Sequence, residues 1–165
     1  MENIIVAGGC FWGVEEYYKR LKGITNTKVG YAQSNIENPS YRDVCKGQTK
    51  AVEAVYLEFD EIIISLEKVF EHLFRIIDPT SLNRQAMDVG TQYRTGIYFN
   101  NEKQNERAIN FVNSIRKNYQ NEIVVEIYPI ENFYDAESYH QNYLVKNPSG
   151  YCHVDFSVAN FDELK

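Results

Sequence analysis

The change of hydrophobic period at Gly8 and Gly9 constrains the fold of this chain more than any other sequence feature. Residues 3–7 form a short apolar stretch that predicts a strand. After the two glycines, apolar residues recur at helical spacing from Trp12 to Leu21, and Gly23 ends the pattern. Cys10 is therefore expected at the point where a strand turns into a helix.

Strand and helix patterns alternate along the rest of the chain. Strands are predicted at residues 27–32, 51–60, 92–99 and 123–130, and helices at residues 66–77, 102–119 and 136–144. Ser65 can cap the first of these helices. Polar, turn-rich stretches at 33–50 and 80–91 are expected to be long loops. This order predicts a central mixed sheet with helices packed on it, within a single domain formed by residues 1–165.

Charge and hydropathy argue against two classes of partner. The formal net charge is −6, and lysines and arginines gather on no segment, so nucleic acid is not expected as a partner. No stretch approaches the roughly 20 apolar residues of a membrane span. Residues 4–7 are too short an apolar run for a secretory leader. Nothing such as a heptad or a long apolar edge demands a second copy, and we expect a monomer.

Three cysteines lie far apart in the sequence, at Cys10, Cys45 and Cys152. An odd number at these separations fits neither a secreted disulfide framework nor a C-x-x-C zinc pair. The pattern is typical of a cytoplasmic protein with reactive thiols. A purely structural interpretation stays open for each of them, because free cysteine packs as a small hydrophobe.

The helix that is predicted after Cys10 favours a reactive thiol. Its unpaired amide groups and positive dipole end point back at the sulfur, which should lower the pKa of the thiol and favour thiolate. Phe11 and Trp12 place two large apolar rings beside this nucleophile, and such a pocket would suit a methyl or thioether group. In the alternative interpretation, Cys10 is a structural cysteine after a glycine turn and both rings belong to the core.

Residues 8–15 read Gly-Gly-Cys-Phe-Trp-Gly-Val-Glu, and this stretch resembles the signature of the methionine sulfoxide reductase A family. Further stretches resemble the same family in the same order, at residues 29–32, 38–41, 78–80, 88–94, 139–141 and 147–152. The resemblance covers the chain from about Ile4 to Cys152. It implies an α+β fold: a two-layer sandwich with a central mixed β-sheet flanked by helices, a ferredoxin-like core, long loops and an irregular C-terminal tail.

The resemblance also implies an activity and a set of site residues. The family reduces the S epimer of methionine sulfoxide, free or in oxidised proteins, without a cofactor or a metal. Cys10 matches the attacking cysteine. Tyr41 and Tyr93 match positions whose hydroxyls bind the sulfoxide oxygen, as a preorganised pair of donors would. Asp88 and His140 match positions that contact the backbone side of the substrate.

Glu53 is the candidate acid. Alternation along its predicted strand places it on the same face as Val55 and Leu57, where burial would raise its pKa and let it donate a proton near neutral pH. A surface glutamate on an edge strand is the alternative. By resemblance, Glu53 falls at the acid position of the family. The family usually has Gly-His-Ala before this glutamate, whereas this chain has Lys50-Ala51-Val52.

Cys152 is expected to close the catalytic cycle. Loss of methionine should leave Cys10 as a sulfenic acid, with which a second thiol can condense to a disulfide. Cys152 lies in a tail with Pro148 and Gly150 nearby, and by resemblance it is the resolving cysteine of the family. A dithiol such as thioredoxin would then reduce the bridge. Cys45 is an alternative resolver, although a packed or idle thiol is the preferred interpretation of this residue.

Three other interpretations of the function of this chain remain open from the sequence. A redox sensor or peroxide-reducing protein would use Cys10 and Cys152 without a methyl-binding pocket, and the neighbouring aromatic rings argue against it. A non-enzymatic module could bind apolar peptide side chains, with the cysteines incidental. A zinc site of three cysteines and a histidine is the weakest alternative, because no ligands have finger-like spacing.

Overall fold

Six of the eight strands form one mixed sheet in the computed structural model, which describes residues 1–165. The strands are β1 (Glu2–Gly8), β2 (Ile24–Ala32), β3 (Val52–Phe59), β4 (Arg84–Gln85), β5 (Asp88–Val89), β6 (Thr95–Phe99), β7 (Glu126–Pro129) and β8 (Phe133–Asp135). The sheet has the order β7-β6-β1-β3-β2-β8, and β4 and β5 form a separate hairpin. Only β6 and β7 pair in parallel, so β1 and β3 lie at the centre with antiparallel neighbours.

Five α-helices accompany the strands. They are α1 (Phe11–Lys19), α2 (Tyr41–Cys45), α3 (Leu66–Ile76), α4 (Glu102–Ile115) and α5 (Tyr143–Lys146). Ser65 caps α3 as predicted, because its side chain accepts a hydrogen bond from the backbone N–H of Lys68. Asn101 caps α4 in the same way by accepting from the N–H of Gln104. None of the helices is both long and apolar enough to span a membrane.

Strand β1 shows how the sheet divides the core. Ile4 and Val6 pack into a cluster of 29 buried residues on the face that α1 and α3 cover. Ile5 and Ala7 join a cluster of six buried residues on the opposite face. The period of two along the strand thus sorts its side chains between the two faces. The predicted α+β arrangement, a central mixed sheet with helices packed on it, is confirmed.

The two polar stretches that were predicted as loops contain short elements. In the stretch 33–50, a capping box between Ser40 and Asp43 closes the N-terminus of α2. The stretch 80–91 contains the β4–β5 hairpin. Both elements carry candidate site residues, so the loops are more ordered than their composition indicated.

The prediction of a helix at residues 136–144 is wrong. Residues 138–140 form one 3-10 turn, and α5 begins only at Tyr143. The side chain of Gln141 bonds both the backbone N–H and the backbone C=O of Val29, at 2.9 and 2.7 Å. Asn142 then has a left-handed backbone with a φ of 55°. These tertiary contacts interrupt the helix that the apolar spacing favoured.

Candidate active site

Cys10 lies at the N-cap of α1, directly after the glycine turn that ends β1. Gly9 has a φ of 88°. A Cβ atom at this position would lie 2.8 Å from the Cβ atom of Gln85 and 3.0 Å from Nε2 of His153. The turn therefore needs glycine both for its backbone angle and for the close approach of these two side chains. Cys10 is 8% exposed, as the turn buries it under the neighbouring segments.

The environment of the Cys10 thiol differs from the sequence prediction. Burial raises its pKa above the ordinary value of 9.0, and the neighbouring Glu53 carboxyl adds to the increase. The backbone N–H of Trp12, at the start of α1, acts in the opposite direction and is outweighed. The prediction of a lowered pKa was therefore wrong, because desolvation exceeds the effect of the helix N-terminus. Cys10 is therefore held as a thiol.

Glu53 lies on β3 with its carboxyl directed at the start of α1. The backbone N–H of Phe11 donates to Oε1 of Glu53 at 3.2 Å. Val55 and Leu57 lie in the large core, as the alternation predicted, and Glu53 itself is 2% exposed. Burial raises the pKa of Glu53 from 4.5 to about 8, and the nearby Asp88 adds to the increase. At neutral pH this carboxyl is therefore mainly protonated and can donate a proton.

A cavity of about 70 Å³ opens beside Cys10. It is lined by Cys10, Phe11, Trp12, Tyr41, Glu53, Asp88, Tyr93 and Tyr151. A water molecule takes about 30 Å³ in the liquid, so a cavity of this size suits a group of a few heavy atoms. Seven of the nine predicted site residues thus meet at one small pocket, and Cys152 and His140 lie outside its lining.

Tyr41 and Tyr93 both line this cavity. Tyr41 is the first residue of α2, and its backbone N–H donates to Oε2 of Glu137 at 2.8 Å. The hydroxyl of Tyr31 donates to the other oxygen of Glu137 at 2.7 Å. Burial raises the pKa of both Tyr41 and Tyr93, so both hydroxyls keep their protons. Sequence reasoning missed Glu137, and its only signal was an acidic residue close before His140.

Trp12 is held from two sides on the wall of the cavity. Its indole ring stacks on Tyr143 with a centroid distance of 3.8 Å and an interplanar angle of 11°. Its Nε1–H donates to Nδ1 of His140 at 3.0 Å. Burial lowers the pKa of His140, which leaves the ring neutral with its proton on Nε2. This buried Nε2 atom has no protein partner. His140 therefore positions Trp12, and sequence reasoning did not find Tyr143.

Asp88 and Tyr151 meet at the edge of the same cavity. The hydroxyl of Tyr151 donates to Oδ2 of Asp88 at 2.8 Å. Burial raises the pKa of Tyr151 to about 12, and the bond to Asp88 adds to the increase. The contact links the β4–β5 hairpin to the segment that carries Cys152. Tyr151 was noted only as part of a motif, so its place on the cavity wall is an addition to the predicted set.

The three cysteines are all free. Cys152 is half-buried, and its Sγ atom accepts a hydrogen bond from the backbone N–H of Val154 at 3.4 Å. It packs on Gly13, three residues along α1 from Cys10. Cys45 is exposed at the end of α2, on the same short helix as Tyr41. No group of three or more His, Cys, Asp or Glu side chains is arranged to hold a metal ion.

A buried carboxylate fixes α1 relative to the elements around the cavity. Glu15 is 2% exposed. Its Oε2 atom accepts a hydrogen bond from the hydroxyl of Thr27 on β2, and its Oε1 atom accepts one from the backbone N–H of Asn142, both at 2.8 Å. The sequence indicated Glu15 only as an acidic residue of the motif at 8–15. Its bonds explain how the start of α1 and the segment before α5 come to face each other.

Comparison with known proteins gives consistent results for the sequence and for the fold. The family model described as peptide methionine sulfoxide reductase matches residues 2–164. The peptide methionine sulfoxide reductase MsrA of Clostridium botulinum (strain Loch Maree / Type A3) is 54% identical over 154 residues, which are 93% of this chain and 98% of the relative.

Two solved structures of one yeast protein are also similar to this chain. Mxr1 from Saccharomyces cerevisiae in reduced form has a TM-score of 0.85 and 38% identity, over 92% of this chain and 88% of that one. Mxr1 in complex with Trx2 has a TM-score of 0.60 and 24% identity, over 86% of this chain and 84% of that one. At 24% identity, the similarity to the Mxr1–Trx2 structure shows a shared fold alone.

Proposed function

The chain belongs to the peptide methionine sulfoxide reductase family, and we propose that it reduces the S epimer of methionine sulfoxide through Cys10. Its activity is therefore that of an oxidoreductase that restores oxidised methionine. The observation that carries the assignment of roles is the meeting of a thiol, a protonated carboxyl and two tyrosine hydroxyls at one cavity of about 70 Å³.

The first step transfers oxygen from the substrate to Cys10. The methyl sulfoxide end of the substrate enters the cavity against the rings of Phe11 and Trp12. The Cys10 thiol gives up its proton as its sulfur attacks the sulfoxide sulfur, and this proton replaces the one that Glu53 passes to the oxygen. The S–O bond of the substrate breaks, and the products are methionine and the sulfenic acid of Cys10. Oxygen and two electrons are thereby exchanged between the two sulfur atoms, and no external oxidant takes part.

Three donors stabilise the oxygen during this step. The hydroxyls of Tyr41 and Tyr93 bind the oxygen as its negative charge grows, and Glu53 transfers a proton to it. The pKa values of the three groups support this assignment of roles. Burial keeps both hydroxyls protonated and raises the pKa of Glu53 to about 8. We propose that Asp88 and His140 contact the backbone side of the substrate, and the hydroxyl of Tyr151 holds the Asp88 carboxyl at the edge of the cavity.

The second step restores the nucleophile. The Cys152 thiol condenses with the Cys10 sulfenic acid, a sulfur–sulfur bond forms, and the hydroxyl leaves as water. We assign this role to Cys152 because it packs on α1 three residues from Cys10, whereas Cys45 lies on α2. A thioredoxin then reduces the disulfide by thiol exchange. The existence of a structure of the relative Mxr1 with Trx2 supports this choice of reductant.

We propose oxidised proteins and free methionine sulfoxide as the substrates. The relative from Clostridium botulinum is a peptide methionine sulfoxide reductase by name, which supports protein-bound methionine sulfoxide as a substrate. The cycle needs reduced thiols, which favours action in the cytoplasm. We also propose that the protein acts as a monomer formed by the single domain 1–165, without a nucleic-acid or membrane partner, in keeping with its net charge of −6.

Counting the methionine that is formed without any reductant tests the proposed function. The wild-type protein should release about one methionine per chain from the S epimer and none from the R epimer, because a single oxidation of Cys10 exhausts the site. The matched variant Cys10→Ser should release none from either. Release from the R epimer, or full activity of the serine variant, would contradict the proposal.

A further inference from the structure

Gly13 lies inside α1, where glycine has no conformational advantage. Its backbone angles are those of the helix, unlike those of Gly9. Glycine in a helix interior costs about 1 kcal/mol relative to alanine, since it loses more backbone entropy on folding. The backbone conformation of Gly13 therefore does not require glycine, whereas its packing does.

The packing requirement comes from the segment that carries Cys152. A Cβ atom added at Gly13 would lie 2.8 Å from Sγ of Cys152 and 2.9 Å from Cγ2 of Val154. Both distances are below ordinary van der Waals contact. Val154 is 7% exposed and belongs to the large core, so it has little freedom to move away. The bare backbone of Gly13 is thus what allows residues 152–154 to rest on α1.

A second contact holds the same segment on the other side of Cys10. Nε2 of His153 forms a hydrogen bond with the backbone C=O of Gly8 at 2.8 Å. Residues 152–154 are therefore attached both before and after the nucleophile, at Gly8 and at Gly13. This arrangement fixes the position of the Cys152 thiol against Gly13, three residues after Cys10.

We propose that Gly13 is a positioning residue for the resolving step, in which it sets the place of Cys152 relative to Cys10. This inference rests on the proposed function. In that step the Sγ–Sγ bond forms, the S–O bond of the sulfenic acid breaks, and water leaves with the proton of Cys152. No external oxidant is needed, since the sulfenic acid is the oxidised partner. A thiol held near the sulfenic acid reacts at a high effective concentration, and a displaced thiol loses this advantage.

The variant Gly13→Ala separates the two steps of the cycle. Alanine favours the helix, so α1 and the Cys10 turn should remain intact. The added methyl group pushes residues 152–154 away, so formation of the Cys10–Cys152 disulfide should slow roughly tenfold. Rapid mixing with the S epimer, followed by acid quench, measures methionine release and disulfide formation separately. Dimedone, which labels sulfenic acids, should label the variant more strongly than the wild type.

A rescue variant gives this test its control. In Gly13→Ala/Val154→Ala, a methyl group is added on α1 and two are removed from the facing side chain. The segment can then settle back toward α1, and the disulfide rate should recover in part. Val154→Ala alone reports any effect of the smaller core residue.

The outcomes distinguish this inference from the proposed function. A disulfide rate in Gly13→Ala equal to that of the wild type would overturn the inference, and so would an equal loss in both steps. Absence of methionine release by the wild-type protein would overturn the proposed function instead. A slowed disulfide step with normal methionine release, partly restored by the double variant, is the result that we expect.

Discussion

The backbone N–H of Phe11 donates to Oε1 of Glu53 at 3.2 Å, across 42 residues of sequence. The bond joins a strand in the centre of the sheet to the residue that follows Cys10. Because Oε1 accepts this bond, the protonated oxygen of the carboxyl remains free to face the cavity. The acid and the nucleophile therefore keep a fixed relationship through the backbone, and the fold maintains it without a direct bond between the two side chains.

Replacing Glu53 by glutamine should remove the proton donor and keep its shape. The amide can still accept from the N–H of Phe11, so the local fold should persist. Loss of a general acid typically lowers a rate by about 10²- to 10⁴-fold, and we expect a decrease in that range for methionine release in a single turnover. Rapid-quench measurements on Glu53→Gln and the wild type give the ratio. A decrease of less than about threefold would contradict the acid role.

The raised pKa of Glu53 also predicts how stability depends on pH. The folded protein holds this proton up to about pH 8, whereas an exposed glutamate releases it near its ordinary value of 4.5. The stabilising contribution is therefore complete below pH 4.5 and is lost as the pH rises through 8. Urea unfolding at pH 5 and pH 8 should show that the wild type loses more stability than Glu53→Gln.

The comparison with Glu53→Gln isolates this one group. Burial lowers the pKa of His72 to about 4. The contribution of this and other histidines to the pH dependence of stability is the same in both proteins, so it cancels in the difference. If the two proteins changed by the same amount between these pH values, the buried carboxyl would not be the titrating group.

Tyr143 is predicted to act on substrate binding through Trp12. Its ring supports the indole at 3.8 Å, and its hydroxyl is not needed for that stack. Tyr143→Ala should raise KM several-fold, by roughly the 0.5–1.5 kcal/mol of an aromatic pair, with a smaller effect on kcat. Tyr143→Phe retains the ring and should behave as the wild type in steady-state kinetics. Equal KM values for the alanine and phenylalanine variants would argue against support by stacking.

Lys50 lies two residues before the start of β3. It has a φ of 59°, and its backbone C=O accepts a hydrogen bond from Nη2 of Arg94 at 2.8 Å. A residue with a Cβ atom in this left-handed region is strained by about 1 kcal/mol. Lys50→Gly should therefore raise the free energy of unfolding by up to about 1 kcal/mol, and Lys50→Ala should leave it unchanged. Urea titration measures the free energy of unfolding of both variants. A glycine variant that is less stable than the wild type would show that the backbone of Lys50 is not strained.

The part of the site that could be predicted from the sequence was local. The period of two along β3 placed Glu53 in the core, and the glycine turn placed Cys10 at the start of α1. Both follow from the geometry of single elements. The resemblance supplied Tyr41 and Tyr93, which the residue pattern alone could not select from 13 tyrosines.

The remaining features depend on contacts between distant segments. Burial of Cys10 by neighbouring segments reversed the predicted direction of its pKa shift, because the helix N-terminus is a local effect and desolvation is not. Trp12 meets His140 across 128 residues. Gln141 interrupts a predicted helix by bonding Val29, 112 residues away. Such pairings depend on the sheet order, which hydrophobic periodicity does not specify.

Mass spectrometry after one turnover tests the central claim most directly. The protein is mixed with the S epimer of methionine sulfoxide, without reductant, digested under conditions that preserve disulfides, and mapped. We expect a bridge between Cys10 and Cys152, formed with the S epimer and absent with the R epimer. Thiols that remained reduced with both epimers would contradict the reductase mechanism, and a bridge from Cys10 to Cys45 would contradict the assignment of the resolving cysteine.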